Sequence, residues 1–157
     1  MAGPKQRIFL PGLNVRAPWC SLIAAGTKSI ETRSYPISKK YLKRPLVLIE
    51  TPGPDREFTA RGVAVIEVFS CFKYKSKKQW DSDFVCHKVS AEDPLYNFHS
   101  SKEKWGWKLR VLERISPNIA VRKKGIIYAR RCSVPLDNLS DRGRSLGKSV
   151  HGFNIRF

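Results

Sequence analysis

The stretch APWCSLIAAGTKSIETRSYP, residues 17–36, predicts a short helix followed by a strand. A proline in the first turn and a stop at Gly26 favour a helix over Pro18–Ala25. Its apolar stripe, spaced i, i+3, i+4, consists of Trp19, Leu22 and Ile23. Residues 28–35 are rich in β-branched and aromatic side chains and predict a strand. Charged residues crowd the turn between the two elements, where a core needs none of them, so a site is one explanation for their presence.

The rest of the chain predicts further strands and one helical piece. Apolar or alternating runs at 45–50, 62–72, 105–115 and 125–134 are typical of strands, and residues 76–96 are expected to be helical. Five or six strands with an early short helix and a helical insertion favour an α+β fold built on a small mixed β-barrel. A doubly wound sheet would need a helix after nearly every strand.

The length of 157 residues favours a single domain, which we place at residues 1–135 with the helical insertion at 74–104. After Pro135 the sequence loses its periodicity and turns to Gly, Ser and Arg, so residues 136–157 are expected to be a basic, partly ordered tail. The predicted core or near-core residues are Trp19, Leu22, Ile30, Val47, Ile49, Val65, Val68, Trp107, Leu109 and Ile127.

The net charge is the strongest global signal. Thirty Lys and Arg residues against thirteen Asp and Glu residues give +17. The excess is uneven, because residues 1–50 carry 9 basic and 2 acidic groups, 51–100 carry 7 and 7, and 101–157 carry 14 and 4. Such a field attracts polyanions, and nucleic acid is the commonest polyanion in a cell. The charge therefore predicts a nucleic-acid partner.

Several classes of protein are not expected from this composition. No apolar run approaches 18 residues and no leader-like segment stands at the N-terminus, so we expect an intracellular protein, nuclear or cytoplasmic, that is not secreted and has no membrane partner. The four cysteines lack CxxC spacing and the three histidines form no HxxxH pair. We therefore expect no metal and no other cofactor, with reduced thiols. The sequence does not determine the oligomeric state, and a monomer is favoured.

The charged turn has a defined geometry if residues 29–35 are extended. Ser29, Glu31, Arg33 and Tyr35 then share one face, and Lys28 stands at the mouth of the turn. Glu31 and Arg33 are close enough to pair with each other or with cross-strand neighbours. The pattern alone is compatible either with an ion-paired strand face or with a binding site.

The same stretch resembles the signature of ASCH domains, the activating-signal-cointegrator homology family. The matching residues are Pro18, Trp19, Ser21, Leu22, Gly26, Lys28, Glu31 and Arg33. A looser second similarity, to the closing half of the family, rests on Trp107, Pro117, Lys124 and Gly125. The resemblance extends over roughly residues 13–131, without the 74–104 insertion and the tail.

The resemblance implies a PUA-like β-barrel that binds RNA or reads modified bases in a cleft between barrel and helix. Lys28 and Arg33 would then neutralise phosphate, an aromatic ring would stack on a base, and Glu31 would orient Arg33 or accept a hydrogen bond from a base amino group. RNA is the favoured partner and DNA a possible one. The candidate nucleic-acid-binding residues are Arg16, Trp19, Ser21, Lys28, Glu31, Arg33, Tyr35, Trp107 and Lys124.

The alternative is a hydrolase acting on nucleic acid or on a modified nucleoside. Some ASCH-type proteins are ribonucleases or amidohydrolases that remove an acyl group from cytidine, and the latter carry a threonine nucleophile three residues after the lysine. Glu31 stands at that position here, so the covalent route lacks its hydroxyl. In an enzyme, Lys28 and Glu31 would be the catalytic residues, Glu31 as general base on water and Lys28 as holder of an oxyanion. The missing hydroxyl favours the binding module.

Overall fold

The computed structural model describes residues 3, 5–53, 59–121 and 128–149. The strands are β1 (Arg7–Arg16), β2 (Ile30–Arg33), β3 (Pro45–Thr51), β4 (Arg61–Lys73), β5 (Trp105–Ala120) and β6 (Tyr128–Pro135). The helices are α1 (Trp19–Ala24), α2 (Lys77–Ser82), α3 (Phe84–His87) and α4 (Asp141–Ser149), with a 3-10 turn at Leu136–Asn138. None of the helices in these ranges is long and apolar enough to span a membrane.

The six strands form one mixed sheet in the order β2-β5-β4-β3-β1-β6. Strands β1 and β3 are parallel, and the other neighbouring strands are antiparallel. Strand β2 is only four residues long and pairs with β5, and no pairing joins it to β6 among the described residues. The α+β class is confirmed, but the sheet is open at β2 and β6 and is not closed into the predicted barrel.

Apolar side chains fill both faces of the sheet, and strand β3 shows why. All seven of its residues are buried, as expected for a central strand covered on both sides. Leu46 and Leu48 point into one cluster with helix α1, whereas Val47 and Ile49 point into a second cluster. Leu136 and Leu146, at the C-terminal end of the described chain, pack against that second cluster.

Most of the predicted core is buried, and the exceptions lie on α1. The buried residues are Ile30, Val47, Ile49, Val65, Val68, Trp107 and Leu109, whereas Ile127 lies outside the described residues. Trp19 and Leu22 are partly exposed, because α1 turns Cys20 and Ala24 toward the sheet together with Ile23, the one member of the predicted stripe that is fully buried. This rotation leaves the indole of Trp19 at the surface of the core.

Helix α4 continues the structure beyond Pro135, in a segment whose sequence shows no apolar period. Leu146 is the one large apolar side chain between Asp141 and Ser149, so polar composition hides the helix. A Cβ at Gly143 would lie 2.5 Å from the Glu113 Cγ atom, which shows how closely α4 approaches β5. Ser140 strengthens this contact by donating a hydrogen bond to Glu113 at 2.7 Å.

The central position of β3 yields a stability prediction. Leu48→Ala should reduce the free energy of unfolding by about 2–5 kcal/mol, because Leu48 is completely buried and its truncation leaves a cavity. The same substitution at Leu95, which is 72% exposed, should change it by no more than about 0.5 kcal/mol. Urea denaturation of both variants measures the difference, and equal effects would contradict this description of the core.

Candidate functional site

A pocket of about 240 Å³ lies where the end of β1, helix α1 and strand β2 meet the 74–104 insertion. It is lined by Asn14, Val15, Arg16, Trp19, Lys28, Glu31, Thr32, Arg33, Thr51, Val89 and Tyr96. Five of the predicted site residues are therefore brought together, namely Arg16, Trp19, Lys28, Glu31 and Arg33.

A chain of three charges runs along one side of the pocket. The Glu31 carboxylate lies between two cations, with its Oε1 atom 3.0 Å from Arg33 Nε and its Oε2 atom 3.6 Å from Lys28 Nζ. The exposed fraction of the side chain rises from 1% at Lys28 through 10% at Glu31 to 19% at Arg33. Of the two cations beside Glu31, the Arg33 guanidinium is thus the more open to a ligand.

Trp107 and Tyr35 support Arg33 from behind and do not line the pocket. The Trp107 ring is completely buried, with the Arg33 guanidinium carbon 5.7 Å from its centroid. Its indole nitrogen donates to the Tyr35 carbonyl at 3.1 Å, and the two rings meet edge to face. Arg33 also donates to the Asn14 carbonyl at 2.7 Å. The guanidinium is thereby held in one plane, and the Trp107 ring is not available to stack on a base.

Lys28 is an internal anchor. Its ammonium donates to the carbonyls of Ile30 and His87, at 2.7 and 2.5 Å, and faces the Glu31 carboxylate. Burial lowers the pKa of Lys28, and the nearby carboxylate of Glu31 opposes that effect. The lysine therefore ties strand β2 to the insertion, and its ammonium is already occupied by protein groups.

His87 holds the carbonyl that Lys28 binds. Its ring stacks on Trp80, with centroids 3.9 Å apart and an interplanar angle of 19°. The Nδ1 atom accepts a hydrogen bond from the Val89 amide at 3.0 Å, and Nε2 lies 2.9 Å from the Trp80 carbonyl. These partners suit the neutral ring, with Nε2 as donor and Nδ1 as acceptor. Burial also lowers the pKa of His87, which favours the same neutral form.

Trp19 and Tyr96 form an aromatic wall on the pocket, with ring centroids 5.0 Å apart and an edge-to-face angle of 76°. Tyr96 was missed from the sequence, since it lies in the insertion, which matches no motif. Its amide donates to Asp93 at 2.7 Å, and its carbonyl accepts from Lys104 at 2.8 Å. An aromatic residue inside the turn-forming run EDPLYNF was the available signal.

Of the predicted site residues, Ser21 lies away from the pocket. Ser21 is exposed on α1 and donates at 2.7 Å to the buried carboxylate of Glu50, which also binds Arg61 at 2.7 Å. This group does not line the pocket, and Glu50 was not predicted. Lys124 lies outside the described residues.

The donor set indicates what the pocket can hold. Within the described ranges, no three His, Cys, Asp or Glu side chains come together as metal ligands do. The pocket instead offers a planar guanidinium, a carboxylate and two aromatic rings, with exposed Arg16 beside them. Such groups suit a flat, polar, anionic ligand.

Comparison with known proteins identifies the family. The ASCH domain model matches residues 13–117, so the chain belongs to the ASCH domain family, and the resemblance seen in the motif is confirmed. A crystal structure of a mutant ZmASCH protein from Zymomonas mobilis is similar, with a TM-score of 0.58 over 76% of this chain and 85% of that chain. At 12% identity this likeness concerns the fold alone. A search of curated proteins found no match.

The neutral state of His87 yields a prediction on pH. Burial lowers its pKa from the usual 6.5, so below that value the unfolded chain binds the extra proton and the folded chain resists it. The free energy of unfolding should therefore fall as the pH decreases from about 7.5 to about 5.5. His87→Gln should show a smaller fall than His99→Gln, because His99 is exposed. Urea midpoints at the two pH values measure this, and identical falls would contradict it.

Proposed function

We propose that this chain is a nucleic-acid-binding module that takes up one unpaired nucleotide of an RNA strand in the pocket. The observation that carries the proposal is Arg33, whose guanidinium is fixed by Glu31, the Asn14 carbonyl and the Trp107 ring beside an aromatic wall. A net charge of +17 supplies the attraction for the strand as a whole. Membership of the ASCH family, which is generally associated with RNA, supports the same choice.

In this proposal each group has a distinct task. A base packs against Trp19 or Tyr96, and such stacking contributes about 1–3 kcal/mol per base. Arg33 presents its planar fork to a base edge or a phosphate. Arg16, which is exposed at the pocket, contacts the backbone phosphate. Lys28 contributes indirectly, because it holds the insertion that carries Tyr96 against strand β2.

The shape of the site favours single strands. A pocket of about 240 Å³ is too small for a duplex but suits a base that is splayed out of a stack. RNA presents such bases in loops and ends more often than DNA does, so RNA is the favoured ligand and DNA the competitor. We further propose that the chain binds as a monomer inside the cell, nuclear or cytoplasmic, on an open-sheet ASCH variant of the PUA-like fold.

The second candidate, a hydrolase on RNA or a modified nucleoside, is favoured by one observation. Glu31 lies in the pocket, 3.6 Å from a lysine whose pKa burial lowers, as general acid–base groups often do. Against it, the Lys28 ammonium already donates to two carbonyls, and both Glu31 oxygens face cations. An occupied ammonium is a poor oxyanion holder, so we rank this function second.

Arg33→Lys should separate shape from charge in the binding of single-stranded RNA. The variant keeps the positive charge but loses the planar fork, so binding should weaken by about 1–3 kcal/mol while the dependence of affinity on salt stays the same. Arg142→Lys, at an exposed position on α4, is the matched control and should leave affinity unchanged. Fluorescence anisotropy at several salt concentrations measures both. If Arg33→Lys leaves the affinity unchanged, Arg33 acts only through its positive charge, and the proposed recognition by its planar fork is wrong.

Glu31→Gln should separate the module from the enzyme. In a binding module, RNA is not consumed by the wild-type chain, and the variant changes affinity by less than about tenfold because the amide can still orient Arg33. In a hydrolase, the variant retains binding and product formation falls about 10²–10⁴-fold. Mass spectrometry of RNA and acylated cytidine after incubation measures turnover. A thermal melt first sets a temperature at which both proteins are folded, since Lys28 loses its buried counter-charge.

A further inference from the structure

A second groove, of about 560 Å³, lies beside the start of strand β2. Ser29 and Ile30 line the groove, whereas Glu31, Thr32 and Arg33 line the pocket, so the two sites follow one another along strand β2. The groove is bounded by strands β4 and β5 on one side and by the insertion helices on the other. Its main lining residues are Phe69, Phe72, Gln79, Asp83 and Lys108.

The groove carries exposed aromatic rings with cations over them. Phe69 is 38% exposed, and the Arg110 guanidinium carbon lies 5.6 Å from its ring centroid. The Lys108 ammonium lies 5.5 Å from the centroid of half-buried Phe72. Bases stack on such rings, and the neighbouring cations reach phosphate, so this alternation is the one that single-stranded nucleic acid uses.

The local charges favour an anionic ligand over an apolar partner. Two carboxylates are close, but Glu67 is engaged by Arg110 at 3.3 Å and Asp83 accepts the Tyr74 hydroxyl at 2.9 Å. Two more exposed lysines belong to segments whose backbone is bonded next to the groove. The Lys43 amide donates to the Val68 carbonyl beside Phe69, and the Lys75 amide donates to the Gln79 side chain. Both carboxylates are thus engaged by protein groups, and the Lys108 ammonium beside Phe72 suits a polyanion.

We propose that this groove binds, as unpaired RNA, the nucleotides that flank the one held in the pocket. The proposal rests on the proposed function, because it gives the same strand a second contact. The groove and the pocket have consecutive residues of strand β2, Ile30 and Glu31, in their linings. The insertion is bonded to the outer edge of β2 through Cys86 and His87, so one RNA strand that fills both sites crosses the insertion there. Phe69 and Phe72 stack two bases, and Lys108 and Arg110 contact the phosphates between them.

The test compares RNA length with a double variant. Phe69→Ala combined with Lys108→Ala should weaken the binding of an unpaired RNA of about eight nucleotides by about 10- to 100-fold. It should change the affinity for a dinucleotide by less than about twofold, because a dinucleotide fills only the pocket. Phe84→Ala with Lys102→Ala is the matched control, since Phe84 is 49% exposed and neither residue lines the groove. Fluorescence anisotropy at fixed salt gives all affinities.

The outcomes distinguish the two proposals. If the wild-type chain binds the dinucleotide and the longer RNA equally, or if both double variants act alike, the groove proposal is wrong and the pocket stands. If the wild-type chain binds neither RNA, the proposed function fails and the groove proposal fails with it. Self-association that Phe69→Ala abolishes, with RNA affinity unchanged, would assign the groove to protein contact and overturn the proposal. Sedimentation velocity of the same samples provides that measurement.

Discussion

The site depends on the bonds that the buried ammonium of Lys28 makes to two carbonyls and a carboxylate. Moving such a charge out of water costs several kcal/mol unless partners replace the lost hydration, and here two carbonyls and a carboxylate do so. One of those carbonyls belongs to His87 in the insertion, and the carboxylate belongs to Glu31 on β2. The cost of leaving Lys28 unpaired therefore holds the insertion against the edge of the sheet.

This constraint explains how distant segments build one pocket. Strand β2 supplies the charges, helix α1 supplies Trp19, and the insertion supplies Tyr96. Stacking of His87 on Trp80 makes the insertion rigid enough to offer a fixed carbonyl. The Lys28 ammonium is occupied by the His87 carbonyl of the insertion, and the Trp107 ring supports the Arg33 guanidinium. Arg33 is therefore the cation that is pre-oriented toward the pocket.

Local pattern predicted helix α1 and the strands, but residues 88–96 are not helical as predicted and helix α4 was missed. Long-range pairing was beyond it. Helix α1, most strands and the convergence of the motif charges followed from periodicity, turn residues and the ASCH signature. The open order of the strands could not be predicted in this way. Closure of the sheet into a barrel depends on whether the edge strands β2 and β6 pair, and no local pattern encodes that pairing. Burial of Trp107 behind Arg33 and the role of Tyr96 depend on cross-strand neighbours and on the folded insertion. Lys28 was read as a ligand contact because a sequence does not show carbonyl partners.

An acidic residue at the centre of a basic chain has a physical reason in this arrangement. With Glu31 between Lys28 and Arg33, the three side chains carry one net positive charge. The pocket then attracts a bare phosphate less strongly than two free cations would. Affinity for any polyanion comes from the rest of the +17 surface, whereas the pocket adds directional hydrogen bonds and stacking. Under the proposed function, the carboxylate lowers non-specific binding of phosphate at the place where a nucleotide is recognised by its shape.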